Sequence, residues 1–333
     1  MKGEGIIGAA DTVTKAYIRK NEVFADAFNY FMYDGRQKIQ PEQLRELDST
    51  EIAILLNEKD TKDKTNKEKE ASEQKMVQKY RDLLKTATIM EDGEATYVLL
   101  GIENQTEVHY AMPVRNILYD AMQYNQQVTE IAEKHKGKKG GKRQQKISIG
   151  EFLSGFYKNN KLIPVITLVL FFNPGEWDGP RSLFDMLDIS NPIFKKYAQD
   201  YKIHIISPKE ILESDLKKFS SSLREVIGCI KYSNDKNKLA AFIQDNPRMN
   251  IEVEAARVLE VITHTHIKRE EVDDMGNVNM CKAIQEMIQD GRDEGRVQLL
   301  VTLIQSGDIS LQRAAALMNM TPEEFQEKSK MIS

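Results

Sequence analysis

"RDLLKTATIMEDGEATYVLLGIENQT", Arg81 to Thr106, places two apolar, β-prone runs on either side of Glu91-Asp92-Gly93-Glu94. Asp-Gly between such runs is the strongest short-range hairpin signal. A two-residue turn at Asp92-Gly93 pairs Glu91 with Glu94 and, nine residues further along each strand, Asp82 with Glu103. Directly opposed residues project from the same sheet face, with Cβ atoms about 4.5–5.5 Å apart. Gln105, two residues past Glu103, shares that face, whereas Lys85, three from Asp82, points to the other. The second strand thus begins as a buried run, "YVLLGI", and ends in a carboxylate and two amides.

Around this hairpin the chain alternates helices and strands. In "KAYIRKNEVFADAFNYFMYDG", Ile18, Val23, Phe24, Ala27, Phe28 and Phe31 recur at helical spacing, and Gly35 supplies a C-terminal stop. A long helix is expected from Pro113 to Glu133, a buried strand from Ile163 to Phe172, a turn-rich loop at "NPGEWDGP", a short strand at "KIHIISP", and mainly helix thereafter. The order is that of an α/β core with a helical C-terminal extension. We expect a core over residues 1–215, interrupted by a charged insert at 57–80 and a basic loop at 134–146. Residues 216–333 read as a mainly helical region for oligomerisation or DNA contact. At its end Thr321-Pro322-Glu323-Glu324 reads as an N-cap with proline at the first helical position.

Composition bounds the chemistry. The 333 residues are 41% hydrophobic and 29% charged with a net charge of -4, as expected of a globular protein with solvated charged segments. Cys229 and Cys281 are the two cysteines, too few for a disulfide framework or a four-cysteine zinc site, and a reducing cytoplasm is the natural setting. The longest apolar stretch, "LIPVITLVLFF", is shorter than the roughly 18 residues of a membrane span. There is no G-x-S-x-G elbow, no phosphate-binding G-x-x-x-x-G-K-[ST] and no dinucleotide fingerprint, so hydrolase-elbow, ATP and NAD chemistries are unsupported.

Two carboxylates held together at the end of an apolar hairpin repel, and one takes a proton unless a cation intervenes. Oxygen ligands without a cysteine or histidine cluster favour Mg²⁺ or Mn²⁺ over zinc. The alternative at this stage is that Asp82 and Glu103 are solvent-facing residues at frayed strand ends.

With these features in order, the chain resembles the Rpn-type recombination-promoting nucleases, also called YhgA-like transposases, within the PD-(D/E)XK nuclease superfamily. The resemblance runs through "RKNEVFADAFNYF", the Asp82 hairpin, "GIENQT" followed by "AMPVRNILYDAMQY", "VITLVLFFNPGEWDGPRSLFDML" and "GRDEGR". It implies a restriction-endonuclease-like core, a mixed central sheet flanked by helices, that cuts DNA with Mg²⁺, with Mn²⁺ or Ca²⁺ as substitutes. By position, Asp82 and Glu103 are the implied metal ligands and the main-chain carbonyl of Asn104 a third. Gln105 stands where the superfamily carries a lysine that orients or activates water. Glu22, or second Asp26, is the implied acid from the first helix. Gln105 carries no charge, which keeps open a second reading as a non-cleaving DNA-binding or oligomerising scaffold.

The basic run "KHKGKKGGKRQQK" places Lys138, Lys139, Lys142 and Arg143 among glycines, as either a phosphate-contacting arm or a solvated loop. Arg115, just after the hairpin, is read either as a phosphate contact or as an ion-paired helix residue. His264 and His266 lack companions for a zinc set. Trp177 is expected to anchor its loop rather than stack on a base. The C-terminal helix pair is too poor in basic residues to read a DNA groove and suits oligomerisation, as in a homodimer, or domain packing instead.

Overall fold

The computed structural model describes residues 2–47, 82–91, 94–137, 147–244, 246–263 and 272–332. The charged insert, the Asp92-Gly93 turn, Lys138, Lys139, Lys142, Arg143, His264 and His266 lie outside them.

The chain begins with two helices, α1 (Lys2–Ile18) and α2 (Asn21–Tyr33), where the periodicity predicts one. The break has a physical cause distant in sequence. The ammonium of Lys85 donates to the Arg19 carbonyl and to Asn21 Oδ1, both at 2.6 Å, so the free carbonyl end of α1 is satisfied from the sheet. At the other end of α2, Asp34 (φ 55°) and Gly35 (φ 84°) turn left-handed, and the Gly35 N–H donates to the Asn29 carbonyl. A Cβ on Gly35 would stand 2.6 Å from the Lys218 carbonyl oxygen, so the predicted glycine stop is also a close approach of two backbones.

Strands β1 (Arg45–Glu46), β2 (Leu83–Glu91), β3 (Glu94–Gln105), β4 (Val165–Phe171) and β5 (His204–Ile206) form one sheet in the order β1-β2-β3-β4-β5. The first two pairings are antiparallel and the last two parallel, so the molecule is mixed α/β with a mixed sheet. The hairpin register is the one set by a two-residue turn: Glu91 pairs with Glu94 and Leu83 with Ile102. Helix α3 (Met112–Gly137) follows β3, and α4 (Ile149–Ser154) precedes β4. Helix α5 (Pro192–Tyr197) lies between β4 and β5.

Strands β3 and β4 are covered on both faces, which is why their sequences are continuous apolar runs rather than alternations. On one face Leu83, Ala87, Val98, Leu100, Ile102, Leu168 and Leu170 meet Tyr17 and Ile18 of α1 and Phe24 and Phe28 of α2. The same core takes in Val226 and Ile230 of α6 (Leu223–Tyr232) and Val258 and Leu259 of α8 (Val253–Thr263), with α7 (Lys236–Ile243) between them. Residues on both sides of position 215 therefore share one core. On the opposite face lie Leu84, Leu99 and Val165, and further along Val169 and Phe171 with Met112 and Trp177. Trp177 is buried edge-on against Phe171, with ring centroids 5.2 Å apart, and so anchors its loop.

A two-stranded ribbon of β6 (Asn250–Glu252) and β7 (Asn277–Asn279) leads into α9 (Met280–Gln305), α10 (Leu311–Leu317) and α11 (Pro322–Ile332). Val297, Leu300, Ala314, Ala315 and Phe325 form a separate small core. Thr321 caps α11 as its sequence indicates, with the Glu324 N–H donating to its hydroxyl and its own N–H to the Glu324 carboxylate. Among the described residues no helix is long and apolar enough to cross a membrane.

Candidate metal centre

The carboxylate at the end of β3 follows from strand parity. Odd residues of β3 turn their main-chain groups toward β4, as the Phe172 N–H donating to the Gln105 carbonyl shows. Even residues therefore face β2, and Asp82 opposite Glu103 is a non-hydrogen-bonded position, the kind in which facing side chains stand closest. Glu103 and Gln105 project to the α3 face, and Asn104 projects to the α1 face.

Asp82 stands one residue before β2 begins, so the Asn104 N–H has passed the last paired residue of its neighbour. The Asp82 carboxylate takes that donor, with Oδ2 accepting from the Asn104 amide at 2.9 Å. Oδ1 receives the ammonium of Lys15 at 3.0 Å, and the same ammonium lies 2.7 Å from Asp11, one helical turn earlier. Partial burial works against the Lys15 charge, but hydrogen bonds and the charges of Asp11 and Asp82 outweigh it and raise its pKa.

Glu103 is fully buried, and its Oε2 lies 3.1 Å from Nε of Arg115 on the first turns of α3. Arg115 also donates to the Tyr119 hydroxyl at 3.2 Å and packs over that ring. Burial opposes the guanidinium charge, yet Glu103, Tyr119 and Asp82 together raise its pKa. Burial first, and the Glu103 charge second, push the Tyr119 hydroxyl up. Two carboxylates side by side are thus balanced by two side-chain cations, one for each acid.

Asn104 locks this arrangement to α1. Its side-chain amide donates to the buried Thr14 hydroxyl at 2.6 Å, and that hydroxyl donates in turn to the Ala10 carbonyl. The Asn104 carbonyl accepts from the Gln105 side-chain amide at 2.7 Å.

The donors present suit Mg²⁺ or Mn²⁺. Both acids offer hard oxygens, and Lys15 and Arg115 stand as positive charges against them. The second lone pair of the Asn104 carbonyl is a further oxygen donor. Among the described residues no group of three or more His, Cys, Asp or Glu side chains converges. Mg²⁺ does not require one, since it binds through one or two carboxylates and keeps several waters.

Glu22 is not brought to the pair. It is exposed at the start of α2, on the other side of the sheet, where its charge acts on Lys85. Asp26 is buried and accepts from the backbone and hydroxyls of Ser220 and Ser221. Lys85 points away from Asp82, as its parity requires. Sequence reasoning missed Thr14 and Lys15; the Asp11–Lys15 spacing was visible, but nothing local says that α1 rather than α2 reaches the strand ends. No family model, no curated protein and no solved structure matches the chain.

Proposed function

We propose that this protein is a metal-dependent DNA endonuclease with a restriction-endonuclease-like core of the Rpn type, hydrolysing phosphodiester bonds in the service of recombination or mobile elements. The observation that carries the reading is the pair of acids at the ends of adjacent central strands, fully buried Glu103 and half-buried Asp82, each held by a cation. Burying like charges is costly, and acids held so close to each other's charge are candidates for a functional site.

In this reading Asp82, Glu103 and the Asn104 carbonyl hold Mg²⁺, with Mn²⁺ or Ca²⁺ as substitutes. When bound, such an ion polarises a phosphate oxygen and makes water a stronger nucleophile near neutral pH. The chain's own residues do the rest. Packing of the strand ends fixes both carboxylates, the Gln105 amide orients water or a phosphate oxygen by hydrogen bonding, and Arg115 holds Glu103 in place. Lys138, Lys139, Lys142 and Arg143 would add sequence-independent phosphate contacts. A cytoplasmic location and a homodimer through α9–α11 complete the proposal, with exposed Leu299 and Leu317 as the surface that supports association.

A second reading, a non-cleaving DNA-binding or oligomerising scaffold, is favoured by Gln105, which is neutral and spends its amide on the Asn104 carbonyl. Supercoiled plasmid incubated with the protein and Mg²⁺ or Mn²⁺ separates the two. The nuclease reading expects nicking that Asp82→Ala and Glu103→Ala both abolish. Nicking that survives both substitutions removes the site assignment, and its absence with every divalent ion favours the scaffold.

A further inference from the structure

Hydrolysis of a phosphodiester builds negative charge on the non-bridging oxygens in the transition state, and a preorganised cation facing them is among the largest contributions a site can make. Gln105 is the hydrogen-bonding side chain beside the acid pair on its own strand, and it is neutral. The charge has to come from another element. Lys85 is excluded by its position: it is buried on the opposite face and spends its ammonium on Arg19 and Asn21. Arg115 is committed to Glu103 and to the Tyr119 hydroxyl.

Lys15 has the needed properties. Its ammonium already touches Asp82, its side chain is 40% exposed, and its long stem reaches both the carboxylate and solvent. Its origin is rigid, because the preceding residue, Thr14, is fully buried and bonded to Asn104 of the central strand. It also has a second partner, Asp11, that keeps the ammonium at the mouth of the site once Asp82 is taken by another cation.

Resting on the nuclease reading, we infer that Lys15 is a further catalytic residue: it pairs with Asp82, yields it to a divalent ion, and then donates to a non-bridging oxygen of the scissile phosphate. The same contact makes Lys15 a competitor of the metal and a partner of the substrate, so removing it moves the two affinities in opposite directions. A purely structural lysine would not do this.

The test uses the full chain as wild type, Lys15→Met, Lys15→Arg, Gln105→Lys and the Lys15→Met/Gln105→Lys double variant. Mn²⁺ binding is measured by calorimetry on the protein alone, binding of a labelled DNA duplex in Ca²⁺, and plasmid nicking in Mg²⁺. For Lys15→Met the expected result is a fall in cleavage rate of roughly 100-fold, weaker duplex binding, and Mn²⁺ affinity higher than wild type. Lys15→Arg retains part of the rate, and Gln105→Lys, by returning a charge to the same face, restores at least about tenfold in the Lys15→Met background. If the wild type cleaves and Lys15→Met cleaves within about threefold of it, the inference is overturned while the nuclease reading stands. Loss of Mn²⁺ binding together with cleavage in Lys15→Met makes the residue structural and overturns the inference too. A wild type that neither binds Mn²⁺ nor cleaves overturns both.

Discussion

Asp26 and Asp82 both lie beside the same sheet, and they are treated in opposite ways. Asp26 is saturated by four donors from one rigid segment: the Ser220 amide and hydroxyl on Oδ1 at 2.9 and 3.0 Å, and those of Ser221 on Oδ2 at 2.9 and 2.6 Å. These residues lead directly into α6, so the carboxylate ties α2 to the start of that helix, where a negative charge is also favoured by the helix dipole. Asp82 has one fixed donor, the Asn104 amide, and one that can leave, the Lys15 ammonium. A carboxylate enclosed by backbone donors has no capacity left for a ligand, whereas one balanced by the end of a flexible side chain can exchange that partner for a metal ion. In the proposed reading, the difference separates an acid that holds the fold from one that holds a ligand.

The contrast can be broken most sharply at Glu103. Changing Glu103 to Gln keeps the shape, removes the charge, and is expected to lower plasmid nicking by about 10³-fold or more, with the far-ultraviolet circular dichroism of the wild type retained. Asp26→Ala should do the reverse. Four donors lose their acceptor, so we expect a loss of about 2–4 kcal/mol of stability in chemical denaturation, with cleavage per folded molecule unchanged. If Asp26→Ala abolished cleavage without destabilising the protein, the division between the two acids would fail.

A smaller effect is expected at Lys85, whose burial lowers its pKa from the ordinary lysine value. Between the lowered value and the ordinary one the unfolded chain binds more protons than the folded one, so stability rises with pH across that interval. The penalty is full below the folded-state pKa and is relieved as pH climbs through it. Lys85→Met should flatten this alkaline rise in the difference between the two denaturation profiles. A variant profile parallel to wild type would show that the lysine is solvated in solution.

The parts of this molecule that sequence made legible are those whose causes are local. The Asp-Gly turn and the apolar runs on either side set the hairpin register, and with it the opposition of Asp82 and Glu103 and the shared face of Gln105. Gly35 marked a helix end because the left-handed turn there requires it, and Thr321 marked a helix start because its side chain supplies the missing acceptor. What stayed hidden was decided at a distance. At the break between α1 and α2 the Arg19 carbonyl is satisfied by an ammonium 66 residues away. The helices after position 215 belong to the main core because their apolar faces meet the sheet, which no window of sequence records. For the same reason Thr14 and Lys15 could not be placed at the site while Glu22 could be proposed for it.

The central claim is that Asp82 and Glu103 form one cation site. Its most direct test is a crystal structure from crystals soaked in Mn²⁺ at a concentration that supports nicking, examined by anomalous scattering. The expected result is one peak about 2 Å from oxygens of both carboxylates, with the Lys15 ammonium moved off Asp82. A map with no peak there, and with Lys15 still on Asp82 and Arg115 still on Glu103, would contradict the account.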